Sequence, residues 1–245
     1  MAGTVTATQS GATAAGMSLK VMVLTNAAVA ATPATAKTNS SHNVSIVTTA
    51  AGSMVFGAIS EGNVTTSPPM EPLCTLISTF TDAANSNQYS SYRTTNVTGT
   101  PGSTLVGSTA ASGGIGDGVS AMEVLASGGT LTLDGSAPVN ATGSGTALTC
   151  ASFNPPAGSI LLAIVVTNAS GATAPGMTIT STLGVTWTLG INANASSGGF
   201  APNCGVWYAS MGAAAASILP QQARHRTPAL FTRIAPSRRS AVYSR

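Results

Sequence analysis

Two stretches of this chain, AGSILLAIVV at residues 157–166 and AGSMVFGAIS at residues 51–60, follow the same plan and decide the fold. Each places Ala-Gly-Ser before an apolar run of strand length. Both runs are rich in β-branched or bulky apolar residues and lead into polar ones. Runs this short with that composition favour buried strands over helices.

The similarity extends on both sides of the two runs. Residues 44–59 and residues 148–166 both read as strand, turn and strand, and Pro155 and Pro156 strengthen the second turn. Each copy continues with a strand that enters an Asn/Ala/Ser-rich loop and then with a closing strand. Near-matches in the same order predict two copies of one β domain, with coincidence in a biased composition as the alternative.

The pattern of the whole chain predicts an all-β fold. Many short strands separated by Gly, Pro, Ser and Thr turns favour two tandem jelly-roll-like β-sandwich domains with a short basic C-terminal tail. We expect the first domain at residues 1–128 and the second, a possible duplicate of the first, at residues 129–216. The tail then covers residues 217–245. The flanking glycines place the boundary near residue 128.

Charge is scarce and unevenly distributed. Charged residues make up 6% of the 245 residues, against about 25% in typical soluble domains. Before residue 224, three cations stand against six acids, whereas the last 22 residues carry six arginines and no acid. Such a tail can bind nucleic acid or another polyanion, or it is a solvated extension or the product of a changed reading frame. The arginines are Arg224, Arg226, Arg233, Arg238, Arg239 and Arg245.

The low charge also predicts contacts between subunits. Lysines are not available to protect the strand edges, so neighbouring copies are expected to cover them in a homo-oligomer. The apolar run at residues 19–31 is shorter than the roughly 20 residues of a membrane span, and we interpret it as a strand. No membrane span is therefore predicted.

Chemical motifs are weak, and we predict no catalytic residue, cofactor or metal site. The six acids have no paired arrangement typical of glycoside hydrolysis, and Glu123 alternates with Met122 and Val124, so it is expected to face out of its strand. His42 lies in a Ser/Asn-rich loop, and no G-x-S-x-G elbow is present. Asp117 precedes a glycine, a pattern more typical of turns than of calcium sites.

The three cysteines, Cys74, Cys150 and Cys204, lack the spacing of a zinc site. Three buried thiols that behave as small apolar side chains are favoured. One disulfide with a leftover thiol is the alternative.

The aromatic residues allow two interpretations. Trp187 alternates with Val185 and Leu189 on a predicted strand, so core packing is expected for one face. The alternative is a sugar-stacking site in which Trp207 or Tyr208 is exposed beside the polar loop at residues 192–199. Asn192 and Asn194 would then supply hydrogen bonds to a glycan.

The string PPAGSILLAIVV … GVTWTLGINANASSGG … GVWYA resembles β-sandwich modules in virion proteins of tailed bacteriophages, especially tail and minor structural proteins. The resemblance covers residues 148–209 well and residues 44–126 weakly, and it includes no catalytic signature. It implies further strand pattern after Tyr208, where this chain instead has AAAAS and the basic tail.

The resemblance implies a non-enzymatic virion structural protein of a bacteriophage, such as a tail, baseplate or capsid-decorating component. Such a protein acts through contacts with other virion proteins. It is assembled in the host cytoplasm and ends in the extracellular virion. The alternative is a carbohydrate-binding module that attaches to glycans of the host surface.

Overall fold

The computed structural model describes residues 1–10, 13–62, 64, 66–95, 99–110, 117–170, 174–194 and 200–212. These residues form strands and no helix, which confirms the all-β prediction for this part of the chain. In chain order the strands are β1 (Val5–Ser10), β2 (Thr13–Thr25), β3 (Ala27–Ala28), β4 (Thr35–Thr38), β5 (Asn43–Val47), β6 (Met54–Gly62), β7 (Cys74–Asp82), β8 (Asn87–Thr94), β9 (Ser103–Gly107), β10 (Gly118–Ala126), β11 (Thr132–Leu133), β12 (Ala141–Gly143), β13 (Ala147–Thr149), β14 (Ile160–Ser170), β15 (Gly176–Ser181), β16 (Thr188–Asn194) and β17 (Phe200–Ser210).

Main-chain pairing sorts the described strands into two groups. The first module, residues 27–126, has a six-stranded sheet in the order β3-β10-β6-β8-β7, with β4 also pairing with β10, and a separate β5-β9 ladder. The second module, residues 1–25 with residues 131–212, has a six-stranded sheet in the order β11-β2-β14-β17-β16, with β12 also pairing with β2. Its smaller sheet is β13-β1-β15.

The two six-stranded sheets pack face to face on one apolar core. Phe56 from β6 and Leu162 from β14 both lie in this central core. The opposite faces are covered by the small sheets, since Val55 packs toward β5-β9 and Leu161 toward β13-β1-β15. Strands covered on both faces read as continuous apolar runs, which explains the sequences of β6 and β14.

The repeated Ala-Gly-Ser forms the same turn in both modules. Gly52 and Gly158 have φ angles of 79° and 77°, which suit a residue without a Cβ atom. The hydroxyl oxygens of Ser53 and Ser159 each lie within hydrogen-bond distance of the carbonyl three residues earlier, at 2.8 and 2.7 Å. The repeated sequence therefore encodes a repeated local structure.

The N-terminal strands join the sheets of the C-terminal half. β2 pairs with β14 along its length, and β1 lies between β13 and β15. Main-chain pairing therefore divides the described chain differently from a single cut at residue 128. Both faces of β2 carry buried apolar side chains, such as Met22 on one and Val21 on the other, so this strand belongs in the interior of a sheet. The described residues, which end at Gly212, belong to one compact unit.

Candidate functional site

The structure places the two aromatic glycan candidates on opposite faces of one sheet. Trp207 is only 6% exposed and packs into the core between β14, β17 and the β13-β1-β15 sheet. Tyr208, the next residue on β17, is half-buried and points toward the central core. The core-packing interpretation fits Trp207, whose ring offers no face for a sugar to stack on.

Tyr208 borders a cavity of about 430 Å³. Its lining includes the hydroxyl-bearing Thr186, Thr188 and Ser210 together with Tyr208. An aromatic side chain beside several hydroxyls is the type of lining that a small polar ligand uses. This lining fits the carbohydrate alternative.

The asparagine candidates lie away from this cavity. Thr188 pairs with Tyr208, whereas Asn192 pairs with Gly205 and Asn194 with Asn203, progressively farther along β16. The main-chain carbonyl of Asn194 accepts a hydrogen bond from Asn39 Nδ2 at 2.7 Å. The four candidates therefore do not converge on one site, and residues 195–199 of the polar loop lie outside the described residues.

The expected alignment of Trp187 with Leu189 on one face agrees with the strand pairing, since Leu189 pairs with Trp207, which lies in the same core as Trp187. Val185 and Trp187 precede β16 and pack against the core of the second module. Leu189 is 47% exposed. The ladder between β16 and β17 shifts register between Leu189 and Ile191, so simple alternation does not continue beyond Leu189.

The polyanion candidates Arg224, Arg226, Arg233, Arg238, Arg239 and Arg245 all lie outside the described residues. Their interpretation as a nucleic-acid contact therefore stays a prediction.

A buried group of ionisable side chains is the main feature that sequence reasoning missed. His42 lies between Asp117 and Glu61: its Nε2 is 2.9 Å from Asp117 Oδ1, and its Nδ1 is 3.2 Å from Glu61 Oε1. The side chains of His42 and Glu61 are 0% exposed. We call these three residues the His42 cluster. It connects the segment before β5, the end of β6 and the residue before β10.

Burial and charge oppose each other in the His42 cluster. Burial alone would lower the pKa of His42, but the neighbouring Asp117 and Glu61 carboxylates outweigh it and raise that pKa. Burial raises the pKa of Glu61, and His42 offsets this effect only in part. Asp117 Oδ1 also accepts a hydrogen bond from the Gly62 N–H at 3.2 Å. When His42 is protonated, it therefore holds together three segments of the first module.

The His42 cluster is placed for stability rather than for acid–base catalysis. A general acid or base must come within hydrogen-bond reach of its substrate. His42, Glu61 and Asp117 are all buried beneath the chain. Sequence alone offered little sign of the cluster, because its members are far apart in the chain and none lies in a motif.

Glu123 is also buried, so the expectation that it faces out of its strand is wrong. Its carboxylate accepts hydrogen bonds from the Thr49 N–H at 2.9 Å, the Thr49 hydroxyl at 2.7 Å and the Ser53 hydroxyl at 2.6 Å. Burial alone would raise its pKa, but these hydrogen bonds outweigh burial and lower it. Glu123 thus anchors the first Ala-Gly-Ser turn. Glu123 lies on the face of β10 that is covered by the β5-β9 ladder and by this turn.

The three cysteines are buried free thiols, as favoured from the sequence. The described residues contain no group of three or more His, Cys, Asp or Glu placed to hold a metal ion. Within the same residues, no helical segment has the length and apolar character that a membrane span requires. No protein family model matches this chain, and no curated protein or solved structure matches it.

Proposed function

We propose that this chain is a non-enzymatic structural protein of a bacteriophage virion, in the tail, the baseplate or on the capsid, and acts through contacts between subunits. The observation that carries the proposal is the chemistry of its sheet edges. Among the described residues, β7 pairs only with β8 and β16 only with β17. β16 carries no charge, and the single charged residue of β7, Asp82, is buried. Uncharged strand edges favour a neighbouring subunit as cover.

The outer face of the β5-β9 ladder supports the same proposal. Val47 is 65% exposed, and Leu105 on the adjacent strand is also exposed. Val47 pairs with Ser103, and Leu105 pairs with Ser45, so the two apolar side chains are diagonal neighbours on one face. A subunit contact would remove this apolar surface from water.

The finer architecture is part of the proposal. We interpret each module as a jelly-roll-like sandwich, in which a larger sheet packs on a smaller one through an apolar core. The strand order supports this interpretation, because the two larger sheets match strand for strand and β5-β9 matches β13-β1 of the other small sheet, which has β15 in addition. Jelly rolls recur in capsid proteins, where rigid sandwiches pack against copies of themselves.

The test is the assembly state of the full chain together with its location. Light scattering after size-exclusion chromatography and cryo-electron microscopy are expected to find a symmetric oligomer in which neighbours cover β7 and β16. Mass spectrometry of purified phage particles from a strain that encodes the chain is expected to detect it. A protein that stays monomeric at high concentration and is absent from particles contradicts the proposal.

Nucleic acid and host-surface glycans are two further binding partners that can be tested. Removal of residues 217–245 tests the arginine tail, since a tail that contacts nucleic acid confers binding that weakens steeply with salt. A carbohydrate-binding function is the second candidate, and the cavity beside Tyr208 is the observation that favours it. Tyr208→Ala should abolish binding to a glycan array if that cavity is the site, whereas Trp207→Phe should preserve it.

A further inference from the structure

Residues 5–25 complete the second module without being its neighbours in the chain. β2 is an interior strand between β14 and the short strands β11 and β12, and β1 is the central strand of β13-β1-β15. We call these residues the N-terminal strand pair. Without them, each sheet of the second module lacks a central strand. Insertion of the N-terminal strand pair, which we call closure, is therefore essential to the second module. The pair is held in the module by non-covalent contacts alone.

The first module has the same two strands in the same places, but supplies them from its own continuous chain. Phe56 pairs with Met122 on β10, and Leu162 pairs with Met22 on β2. Phe56 and Leu162 each lie three residues after the serine of their Ala-Gly-Ser turn. Likewise, β9 pairs with β5 as β1 pairs with β13. By position, β1 and β2 of the second module correspond to β9 and β10 of the first.

The remaining strands match down to an irregularity. In the first module the β7-β8 ladder shifts register just after Leu76, which pairs with Tyr92. In the second, the β16-β17 ladder shifts just after Leu189, which pairs with Trp207. A bulge at the same position in both modules indicates that they share one structural plan. The second module is thus a permuted copy, whose last two strands come from the other end of the chain.

The chain crosses between the two modules at two adjacent points. Asn26, with a φ angle of 52°, joins β2 to β3, and residues 127–130 lead from β10 back to the second module. The Ser127 N–H donates to the Asn26 carbonyl at 2.9 Å, and Asn26 Nδ2 donates to the Thr130 carbonyl at 3.2 Å. Gly128 has a φ angle of 77°. Residues 127–130 are the covalent hinge between residues 1–126 and residues 131–212.

We propose that the second module also accepts the N-terminal strand pair of a second copy of this chain. Residues 1–126 of one copy move as a body and close residues 131–212 of another, and the second copy does the same in return. The exchange re-forms the same strand pairs and the same cores, so only the hinge at residues 127–130 must change conformation. Such swapping is a low-cost route to dimers. The inference rests on the proposed structural function and names a second copy as its partner.

Hinge length is the first test. Deletion of Gly128 and Gly129 in the full chain hinders closure within one copy, and insertion of about ten Gly/Ser residues at the same place relaxes it. Light scattering should find the shortened hinge as a dimer and the lengthened one as a monomer, both with the Trp emission of the wild type. A shortened-hinge protein that remains a native monomer, or that only aggregates, overturns the proposal.

Complementation is the second test, and it tolerates variants that do not fold alone. Val21→Asp disables the strand pair, and Leu161→Asp disables the sheet that receives it, since both side chains lie in the core of the second module. Co-refolding of the two variants should give a 1:1 heterodimer by native mass spectrometry, with partial recovery of the buried Trp emission. Trp187 and Trp207 both pack against this core and so report closure.

The control variant carries Thr178→Asp. Thr178 is exposed on β15, so this substitution leaves the receiving sheet intact. This variant should fold alone and need no partner. Absence of the heterodimer from the co-refolded mixture overturns the exchange. A particle in which neighbours cover β7 and β16, while every second module is closed by its own strand pair, also overturns the exchange but leaves the proposed function standing.

Discussion

Met22 and Met122 occupy the same position in the two six-stranded sheets. Met22 pairs with Leu162, Met122 pairs with Phe56, and both methionine side chains enter the central core. The core between the sheets is thus lined from both sides by corresponding residues. This relationship joins the first strands of the chain to the middle of it through one shared core.

Truncation of Met122 tests the central core. Met122 is fully buried, so Met122→Ala removes apolar contacts and leaves a cavity. We expect a loss of about 2–5 kcal/mol in the free energy of unfolding, measured by urea denaturation. Val139→Ala, at an exposed side chain, is the matched control and should change the free energy by less than about 0.5 kcal/mol. Equal effects of the two changes would contradict the assignment of Met122 to the core.

Much of the secondary structure is readable from the sequence because burial leaves a local signal. The runs after the two Ala-Gly-Ser turns are continuously apolar, and both are strands covered on each face. Strand partners are a different matter, because they depend on contacts far apart in the chain. The run at residues 19–31 is a strand as far as Thr25, as predicted, but nothing local indicates that this strand pairs with β14 or that it ends at Asn26.

The error at Glu123 has a physical origin in the tertiary packing. Alternation correctly puts Glu123 on the opposite face from Met122, but in a stack of four sheets that face is also covered. Leu189 lies on the Trp207 face of its sheet but is 47% exposed on the edge strand β16. The His42 cluster was missed because three distant segments bring its members together. The periodicity of the sequence predicts which side chains share a face of a strand, whereas tertiary packing decides which of those faces are exposed to solvent.

Gly205 allows the Trp207 ring to lie against the main chain of β17. A Cβ atom at residue 205 would come within 2.3 Å of that ring. We expect Gly205→Ala to displace the ring and lower the free energy of unfolding by about 1–3 kcal/mol, with a shift in Trp emission. Gly135→Ala, where a Cβ atom meets nothing within 4 Å, is the control and should leave both measurements near the wild-type values.

Replacement of Glu123 should weaken the first Ala-Gly-Ser turn in a pH-dependent way. The lowered pKa of Glu123 means that its stabilisation is present above its ordinary value of 4.5 and is lost as the pH falls through the folded-state pKa. Glu123→Gln should cost about 1–3 kcal/mol at pH 7. Urea denaturation between pH 3 and pH 7 should show a smaller acid-dependent loss for the variant. An unchanged pH profile would contradict the anchoring role.

The His42 cluster should give the opposite pH dependence. The raised pKa of His42 means that its contribution is fully present below its ordinary value of 6.5 and is lost as the pH rises through the folded-state pKa. The raised pKa of Glu61 acts in the same direction above its ordinary value of 4.5. His42→Gln should therefore flatten the decline in unfolding free energy above pH 6.5. A decline as steep as that of the wild type would place the titrating group elsewhere.

Truncation of the two tryptophans separates core packing from sugar stacking. Trp207 is nearly fully buried, so Trp207→Ala should lower the free energy of unfolding by about 3–5 kcal/mol. Trp187 packs against the same core but is only half-buried, so Trp187→Ala should cost less than Trp207→Ala. Thermal and urea unfolding measure both losses, and Thr178→Ala on exposed β15 is the control. A near-neutral Trp187→Ala that also abolishes glycan binding would instead assign that ring to a carbohydrate site.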